Sequence, residues 1–450
     1  MIGLNKIGLN QVQLNRLRLN APFPTCREMA GGGGSGDGFP QLPGDVTRWY
    51  FGGLTNEMMA AMDDPRIEDA DHKGRFLSFK NFAWKEGSGI SDVYPGALVF
   101  DGVDDYGVCE NFPILTKEKG YTVVALRQWD QDFLNTTLTG GLLSTRNYST
   151  GEGVAFEKIE SSNKGYWNLG AGGIIDFAKS PFTWQTSKQY NNVGILKGDK
   201  NHGKPLCVGC GLSGGQQCGR FAIWELVFLD HDATEEELNK IKDYFVKTYP
   251  WLFPDQAWTV VGKTNEDEDR ATIANITGNG NDLVCLNLGF IEGSGYNEEG
   301  EYAGYLVTDG VDDKITSSTF EMGNDWTVIG DWELINTGKN DNAGIVKFDS
   351  IVIYNYNPIL INIKNGRNNL IPDQNTVNAI CSDGRIYSKD WKESIYNEET
   401  ESTSKNLLTI GYSGNSYTKI AFKNLAIYPT VLSKEDCIKA YNYLQTLKAK

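Results

Sequence analysis

"FDGVDDY" at residues 100–106 and "TDGVDDK" at residues 308–314 carry the same five letters, DGVDD. A second short motif keeps nearly the same separation, because "EGSG" occurs at residues 86–89 and again at residues 292–295. Similarity at a fixed separation is the first property to seek in a new sequence, since it reveals duplicated units. Two motifs repeated about 200 residues apart in a chain of 450 residues indicate two copies of one domain.

The similarity reaches both ends of each copy. "GGLTNE" from Gly52 corresponds to "GKTNED" from Gly262, and "FAIWELVFLDHDATEEELNKIKDYF" from Phe221 corresponds to "IAFKNLAIYPTVLSKEDCIKAYNYL" from Ile420. A repeat of this length is a whole domain, because the units of solenoid proteins span only a few tens of residues. The sequence therefore predicts an anchor segment with the linker-like "GGGGSGDG" over residues 1–38, a first domain over 39–252 and a second over 253–450.

Each copy has the pattern of an all-β domain. Runs such as "GALVF", "YTVVAL", "ILINIK" and "LLTIGY" have the length of strands and are rich in β-branched and aromatic residues. Glycine, asparagine and aspartate bound these runs, as expected at turns. Many short strands joined by polar turns favour a sandwich of antiparallel sheets.

One short helix is predicted to close each copy. Thr234 and Glu237 have the spacing of a capping box, and Ser433 precedes Asp436 in the same way in the second copy. The apolar residues that follow recur at helical spacing and are expected to face the core. These residues are Leu238, Ile241 and Phe245 in the first copy, and Ile438, Tyr441 and Leu444 in the second.

Three features together resemble the laminin-G-like, concanavalin A-like jelly-roll superfamily. They are a strand that ends in "FDGVDDY", a penultimate strand of the type "IAxLxIY" and a final helix of the type "LSxEExxKIxxYL". The resemblance covers about 400 of the 450 residues and implies two tandem jelly-roll sandwiches. It implies less about function, because this fold serves lectins, adhesion modules, glycosidases and virion proteins. The sequence of the second copy is also similar to that of lectin-like proteins of Bacteroidetes and of their crAss-like phages. In these proteins such domains occur on virion appendages.

Composition argues against several classes of partner. The net charge of −16 disfavours nucleic acid and anionic membranes, and no stretch is apolar enough to cross a bilayer. The first twenty residues contain no continuous apolar run, so we expect no secretory signal and synthesis in a host cytoplasm. Eight scattered cysteines indicate reduced thiols rather than a disulfide scaffold.

The DGVDD segments contain a candidate metal site, although no cofactor is predicted. Their carboxylates offer oxygen ligands for Ca²⁺, which the resemblance to the superfamily makes an alternative. Each segment lacks the six or more oxygens of a full site, so we favour a tight Asp-Gly turn with the later aspartates accepting backbone N–H bonds. The carboxylates are Asp101, Asp104 and Asp105 in the first copy and Asp309, Asp312 and Asp313 in the second.

A cluster of sulfur and nitrogen ligands is the other candidate metal site. "HGKPLCVGCGLSGGQQC" places His202, Cys207, Cys210 and Cys218 at spacings that suit tetrahedral Zn²⁺. The second copy has "NLLTIGYSGNSYTKIAF" at the equivalent place, without cysteine or histidine. The fold therefore does not require a metal there, and ordinary thiols are the favoured interpretation.

No pattern of catalytic residues is evident, so we expect no enzymatic activity. Retaining glycosidases of this fold carry two carboxylates on one face of a strand, and the nearest acidic cluster, "NEDEDR" at residues 265–270, has the pattern of a solvated loop. The three histidines are not near a nucleophile-elbow sequence, and no nucleotide-binding motif is present.

Sugar binding remains, since aromatic rings on loops stack on pyranose rings. The candidate residues are Trp167, Tyr296, Trp391 and Tyr396. Other tryptophans are expected to fill the cores of the sandwiches, namely Trp129, Trp224, Trp326 and Trp332.

The first twenty residues contain four apolar pairs at strand spacing, separated by asparagine and basic residues. We predict that this segment adds strands to a capsid or tail protein and so anchors the chain. The apolar pairs are Ile2, Leu4, Ile7, Leu9, Val12, Leu14, Leu17 and Leu19.

The favoured function is therefore a structural virion protein, a head or tail fibre or appendage subunit of a tailed phage. Its two lectin-like domains would bind host-surface or mucin glycans, and a homotrimer is the default for such fibres. A bacterial carbohydrate-binding or adhesion protein and a glycoside hydrolase are the alternatives.

Overall fold

The computed structural model describes residues 38–113, 120–145, 155–158, 164–167, 175–176, 182–186, 205–212, 216–335, 344–348, 351–354, 359–363, 369–371, 377–395, 406–413 and 416–449. The chain forms two compact units, and the main division between them falls at Tyr244 and Phe245. The predicted anchor residues and the linker lie outside the described residues. The predicted domain boundary between residues 252 and 253 stays a prediction.

The first unit is built from two antiparallel sheets. The strands of one sheet are β1 (Val46–Tyr50), β4 (Gly89–Ile90), β5 (Leu98–Asp101), β7 (Thr122–Trp129), β12 (Phe182–Thr186) and β16 (Arg220–Leu229). Their spatial order is β12, β7, β16, β5 and β4, and β1 also pairs with β16. The long strand β16 is therefore the centre of this sheet.

The second sheet of this unit has ten described strands. They are β2 (Arg66–Glu68), β3 (Phe76–Lys80), β6 (Tyr106–Cys109), β8 (Gly140–Ser144), β9 (Ala155–Lys158), β10 (Lys164–Trp167), β11 (Ile175–Asp176), β13 (Leu206–Val208), β14 (Cys210–Leu212) and β15 (Gln216–Cys218). The order is β11, β10, β9, β8, β13, β6, β3 and β2, and β14 pairs with β15, which also pairs with β8.

The second unit repeats this plan. One sheet consists of β17 (Gln256–Thr259), β20 (Gly295–Asn297), β21 (Tyr305–Val307), β23 (Thr327–Leu334), β28 (Val377–Cys381), β29 (Arg385–Ser388), β30 (Glu393–Ile395) and β34 (Ile420–Tyr428). Its order is β20, β21, β34, β23, β28, β29 and β30, with β17 paired to β34. Strand β34 thus takes the central place that β16 has in the first unit.

The other large sheet of the second unit runs in the order β18, β19, β22, β31, β24, β25, β26 and β27. These strands are β18 (Thr272–Ile273), β19 (Leu283–Leu286), β22 (Lys314–Phe320), β24 (Gly344–Phe348), β25 (Ile351–Tyr354), β26 (Ile359–Ile363), β27 (Asn369–Ile371) and β31 (Asn406–Ile410). A small hairpin of β32 (Tyr412–Ser413) and β33 (Ser416–Tyr417) completes the unit.

Each core lies between the two sheets of its unit. In the first unit, Trp49 and Phe221 of one sheet share a buried cluster with Leu77 and Leu206 of the other. Trp258 and Phe422 pack in the same way with Ile315 and Ile410 in the second unit. The tryptophans predicted to fill the cores are buried, namely Trp129, Trp224, Trp326 and Trp332. The expectation of an all-β chain with two jelly-roll-like sandwiches is confirmed.

The central strands carry a β-bulge at the same place. The pairing of β16 with β7 shifts between Ile223 and Glu225, and the pairing of β34 with β23 shifts around Lys423. A bulge leaves one residue unpaired and redirects its side chain. The bulged residue is a fully buried Trp224 in the first unit and a half-buried Lys423 in the second.

The structure describes four α-helices, α1 (Asn56–Ala60), α2 (Gln131–Leu134), α3 (Glu235–Thr248) and α4 (Lys434–Leu444). The predicted capping box of α3 is confirmed, because the Thr234 amide donates to Glu237 Oε2 at 2.7 Å and the Glu237 amide donates to Thr234 Oγ1 at 3.3 Å. Ser433 caps α4 by accepting from the Asp436 amide at 3.1 Å. Among the described residues, no helix combines the length and apolarity that a membrane span needs.

The buried face of α3 is as predicted, whereas the buried face of α4 is not. Leu238, Ile241 and Phe245 are buried in α3. In α4 the buried residues are Cys437, Ala440, Tyr443 and Leu444, while Ile438 and Tyr441 are only partly buried. Both sets of residues have helical spacing. Packing decides which set is buried, because the small Cys437 and Ala440 face the sheet.

Replacing Thr234 with alanine should lower the free energy of unfolding by about 1 kcal/mol, because the amide of Glu237 loses its acceptor at the first turn of α3. Urea titration followed by tryptophan fluorescence measures this change. The matched variant Glu236→Ala lies in the same turn with its side chain 78% exposed, and should change the value by less than half as much. Equal effects of the two variants would contradict a specific cap.

Candidate functional site

The repeated motifs of the sequence meet in space in both units. Ser88 of the first EGSG motif donates to Asp105 Oδ1 of the DGVDD motif at 3.1 Å, and the Asp101 amide donates to Asp105 Oδ2 at 3.1 Å. In the second unit Ser294 and the Asp309 amide both donate to Asp313 Oδ2, each at 2.8 Å. One buried carboxylate therefore joins the two motifs in each sandwich.

The first aspartate of each DGVDD motif closes the turn. Asp101 Oδ1 accepts from the Val103 amide, and Asp309 Oδ1 accepts from the Val311 amide, both at 2.7 Å. Gly102 has a φ of 77°, and a Cβ there would lie 2.8 Å from the Arg220 side chain, so this position favours glycine. The predicted Asp-Gly turn is confirmed, and of the later aspartates Asp105 and Asp313 accept backbone N–H bonds as predicted, whereas Asp104 and Asp312 are exposed.

A third repeated motif joins the same arrangement. Asn56 Oδ1 accepts from the Ile90 amide at 2.7 Å, directly after the first EGSG motif. Asn265 Oδ1 accepts from the Tyr296 amide at 2.8 Å at the equivalent place. The shared "TN", "EGSG" and "DGVDD" motifs are thus joined by corresponding hydrogen bonds in both units.

The electrostatics of the buried aspartates fit this role. Burial raises the pKa of Asp105 to about 7, and burial also raises the pKa of Asp313. The three carboxylates of each motif offer oxygens within 4.8 Å of one another, so calcium binding stays a hypothesis. Asp101 Oδ1 and both oxygens of Asp105 already accept hydrogen bonds in the first unit, as do Asp309 Oδ1 and Asp313 Oδ2 in the second.

The second unit carries an aromatic surface, defined here as Tyr302, Tyr305, Trp391 and Tyr441 around the carboxylate of Asp331. All four rings are partly exposed. The Tyr305 hydroxyl donates to Asp331 Oδ1 at 3.1 Å, and the Tyr441 hydroxyl also hydrogen bonds to Asp331. Burial, and next the charge of Asp331, raises the pKa of both phenols, so they remain protonated donors.

Ring contacts group the four aromatic residues into two pairs, and the hydrogen bonds of Tyr305 and Tyr441 to Asp331 connect the pairs. The Trp391 and Tyr441 rings meet edge to face with centroids 5.7 Å apart, and the Tyr302 and Tyr305 rings meet at 6.3 Å. Lys423 Nζ lies 3.9 Å from Asp331 Oδ2 and 5.5 Å from the centre of the Tyr305 ring. The Asp331 side chain is 13% exposed and that of Lys423 is 26% exposed, so solvent reaches both.

The same place in the first unit is apolar and closed. Leu126 and Trp224 occupy the positions of Asp331 and Lys423, as the paired registers of the central strands show. Leu126 and Trp224 are both 0% exposed. An open polar and aromatic surface therefore distinguishes the second unit from the first.

The sequence-predicted aromatic residues have different outcomes. Tyr296 was expected on an exposed loop, but it lies on β20, is 3% exposed and donates its hydroxyl to the Arg270 carbonyl at 2.7 Å, so it cannot stack on a ligand. Trp391 belongs to the aromatic surface. The backbone of Trp167 lies in β10, and its side chain lies outside the described residues, as does Tyr396.

Sequence reasoning missed Tyr302, Tyr305, Asp331 and Tyr441. Asp331 follows a strand pattern in which every other residue faces the core, so only its pairing with β34 reveals what surrounds it. Tyr441 was predicted to lie on the face of the helix that packs against the core. No local signal in the sequence links these positions.

The candidate zinc ligands do not form a metal site. Cys210 and Cys218 are joined in a disulfide, which corrects both the zinc alternative and the expectation that all thiols are reduced. A sulfur atom in a disulfide has no thiolate to offer a metal. Burial raises the pKa of the Cys207 thiol to about 12. His202 lies outside the described residues. Among the described cysteines, those outside the disulfide are all buried, namely Cys109, Cys207, Cys285, Cys381 and Cys437.

The acidic segment at residues 265–270 is a solvated loop, as predicted. Glu266, Glu268 and Asp269 are exposed. Asp267 Oδ2 accepts from the Thr264 amide at 2.9 Å, and this bond lowers the pKa of Asp267. Asp267 thus stabilises the loop, and Asp269 pairs with Lys263 at 2.8 Å.

An open cavity of about 380 Å³ lies in the first unit between the segment after Phe39 and the start of β1. Arg48 lines it, and its guanidinium donates to Glu225 and to the Tyr244 hydroxyl. Lys73 at the rim pairs with Asp45 at 2.8 Å. Charges of both signs are paired along its walls, so the cavity favours no charged ligand.

Comparisons with known proteins do not assign a family. No protein-family profile matches the chain, and no curated protein matches it. A Trypanosoma rangeli sialidase in complex with sialic acid is similar to 84% of this chain over 68% of its own, at 8% identity and a TM-score of 0.31. The binding domain of botulinum neurotoxin serotype D is similar to 81% of this chain over 94% of its own, at 10% identity and a TM-score of 0.32. Likeness at this level carries no argument about function.

Replacing Asp105 with asparagine should remove a pH-dependent contribution to stability. Folding raises the pKa of this carboxyl from about 4 to about 7, so its contribution is complete below about pH 4 and is lost as the pH rises through 7. Between these values the free energy of unfolding of the native chain should fall more steeply than that of Asp105→Asn. Urea titrations at several pH values measure the slopes.

Asp104→Asn is the matched control, because Asp104 belongs to the same motif and is exposed. It should keep most of the native slope, because the charge of Asp104 contributes less to the pKa of Asp105 than burial, Ser88 and Asp101 do. If Asp105→Asn also keeps the native slope, the proton is not held by Asp105.

Proposed function

We propose that this chain is a carbohydrate-binding protein that contacts sugar through the aromatic surface of its second unit. The observation that carries the proposal is the set of partly exposed rings around Asp331. The apolar face of a pyranose stacks on aromatic rings, and its hydroxyls bond to carboxylate and ammonium groups. Asp331 and Lys423 supply these groups beside the rings.

The contrast between the units supports the proposal. In the first unit Leu126 and Trp224 are fully buried, and burial of these apolar side chains stabilises the fold. An apolar pair is therefore sufficient for stability at this position. The second unit has a carboxylate and an ammonium there, and such groups cost free energy when they are partly withdrawn from water. A ligand that uses these polar groups accounts for their presence.

Glycoside hydrolysis is the second candidate, and one observation favours it. Asp331 and Glu333 are two residues apart on β23 and both are partly exposed, while Trp332 between them is buried, so the two carboxylates share one face. Two carboxylates on one face of a strand are the arrangement that retaining glycosidases use. Glu333 lies 3.9 Å from Lys389. We favour binding, since the rings and hydrogen bonds centre on Asp331 rather than between the two acids.

The wider setting that we propose is a virion. In this proposal residues 1–20 anchor the chain to a capsid or tail protein, the chain assembles as a homo-oligomer, and its sandwiches reach host-surface or mucin glycans. The support is the pattern of apolar pairs in the sequence and the resemblance of the second copy to appendage proteins. A bacterial adhesion protein of the same fold is the alternative.

Replacing Trp391 with alanine should weaken glycan binding at least about tenfold, which corresponds to a loss of ~1.4 kcal/mol. A glycan array with the full chain identifies the ligand, and calorimetry with that glycan measures the change. The double variant Asp331→Leu, Lys423→Trp introduces the residues of the first unit. It should abolish binding without lowering the melting temperature.

Trp84→Ala is the matched control. Trp84 is also partly buried, and its φ of 50° resembles the 57° of Trp391, but it packs on Phe82 in the first unit. It should leave affinity unchanged. Absence of any glycan ligand, or equal losses in both tryptophan variants, would overturn the proposal. Release of reducing sugar that Asp331→Asn abolishes would replace binding with hydrolysis.

A chain that starts at Phe39 should fold but be missing from purified virions, because the proposed anchor has been removed. Circular dichroism checks the fold, and mass spectrometry of the particles measures incorporation. Normal incorporation would refute the anchor without affecting the glycan proposal.

A further inference from the structure

Three sulfur atoms of the first unit lie in one buried cluster. Cys207, Cys210 and Cys218 are 1%, 0% and 5% exposed, and they pack together with Tyr106. Cys210 and Cys218 face each other across the hairpin of β14 and β15 and form the disulfide. Cys207 lies on β13, the strand that leads into this hairpin. The cluster thus contains one disulfide and one thiol.

The Cys207 thiol is next to the disulfide. The Cys207 sulfur accepts a hydrogen bond from the backbone amide of Cys210. The spacing of Cys207 and Cys210 is C-x-x-C, in which two sulfur atoms can join in a disulfide. Gly209 lies between them with a φ of 96°, and the chain bends at this residue between β13 and β14.

From this arrangement we propose that the cluster is a thiol–disulfide exchange site, in which Cys207 can replace Cys218 as the partner of Cys210. The Cys207 thiolate attacks the Cys210 sulfur, a Cys207–Cys210 bond forms, and the Cys210–Cys218 bond breaks. Cys218 leaves as a thiolate and takes up the proton that Cys207 lost. The number of disulfides is unchanged, so the step needs no external oxidant or reductant.

The exchange changes what the disulfide holds. With Cys210–Cys218 the two strands of the hairpin are joined to each other, and with Cys207–Cys210 the hairpin is released at β15. Strand β15 also pairs with β8 through Cys218 and Gly141, so its release acts on an interior strand of the large sheet. The site therefore has two disulfide states, one that joins β14 to β15 and one that leaves β15 without a covalent link.

The second unit indicates that the fold itself does not require sulfur here. Its equivalent hairpin, β32 and β33, is closed by Tyr412 and Tyr417, whose ring centroids are 4.8 Å apart. Lys314 lies 5.1 Å from the Tyr412 ring, at the place in the sequence motif that Tyr106 has in the first unit. A noncovalent ring pair closes this hairpin, whereas the first unit has a covalent bond there that thiol–disulfide exchange can rearrange.

Burial controls the rate of the exchange. It raises the pKa of Cys207 to about 12, so only a small fraction of this thiol is ionised at neutral pH. The attacking species is the thiolate, and its fraction rises about tenfold per pH unit below the pKa. The exchange should therefore be slow at pH 7 and become faster as the pH rises.

Maleimide labelling of the native chain tests the proposal without any variant. The protein is kept at pH 7 or pH 9, quenched in acid, denatured and labelled, and the labelled cysteine is located by mass spectrometry. Cysteines outside the cluster are labelled throughout, so the readout is confined to the three cluster cysteines. Among these, the label should be on Cys207 at first and should appear on Cys218 after incubation at pH 9. Within the cluster, a label that stays on Cys207 alone, or labels on all three cysteines at the start, would overturn the proposal.

The variant Cys218→Ser provides the second test. Treated with oxidised glutathione, it should form a Cys207–Cys210 disulfide, whereas Cys207→Ser should keep the Cys210–Cys218 bond. Cys109→Ser is the matched control, because Cys109 is a buried thiol of the same unit that contacts Asn111 instead of the cluster. It should exchange like the native chain. Two free thiols in oxidised Cys218→Ser would count against the exchange.

Discussion

A buried carboxylate that must be satisfied by its neighbours organises each sandwich. Asp105 and Asp313 are both 0% exposed, and each accepts hydrogen bonds from the serine of one loop and the backbone of its own hairpin. Burying a carboxyl group without hydrogen bonds costs free energy, so these bonds favour the closed arrangement of the loops in each unit. The asparagines Asn56 and Asn265 extend the same network to a third segment.

With this network kept in both units, the remaining positions are free to differ. The bulge of the central strand holds a buried Trp224 in one unit and Lys423 in the other, and the neighbouring Leu126 corresponds to Asp331. The terminal hairpin is closed by Cys210–Cys218 in one unit and by a tyrosine pair in the other. Duplication thus produced one unit with an open aromatic surface and another with a sulfur cluster.

The fold could be predicted from the sequence more fully than the candidate site. Alternating strands, the Asp-Gly turns and the capping box at Thr234 all depend on neighbours within a few residues, and the structure has them as expected. Tyr296 was placed on the surface because polar residues surround it in the sequence, yet its ring lies in a core. The buried face of α4 was also misassigned, since two registers of the helix had equally good spacing.

The sequence by itself determined the duplication, the all-β class and the turn chemistry, because these depend on local backbone preferences and on the period of apolar residues. Only the tertiary structure decided which aromatic rings surround Asp331 and which cysteines pair. Tyr305, Asp331 and Tyr441 come from two strands and a helix, and Cys210 meets Cys218 through a hairpin register. Such contacts are set by packing between elements far apart in the chain, and no short stretch of sequence encodes them.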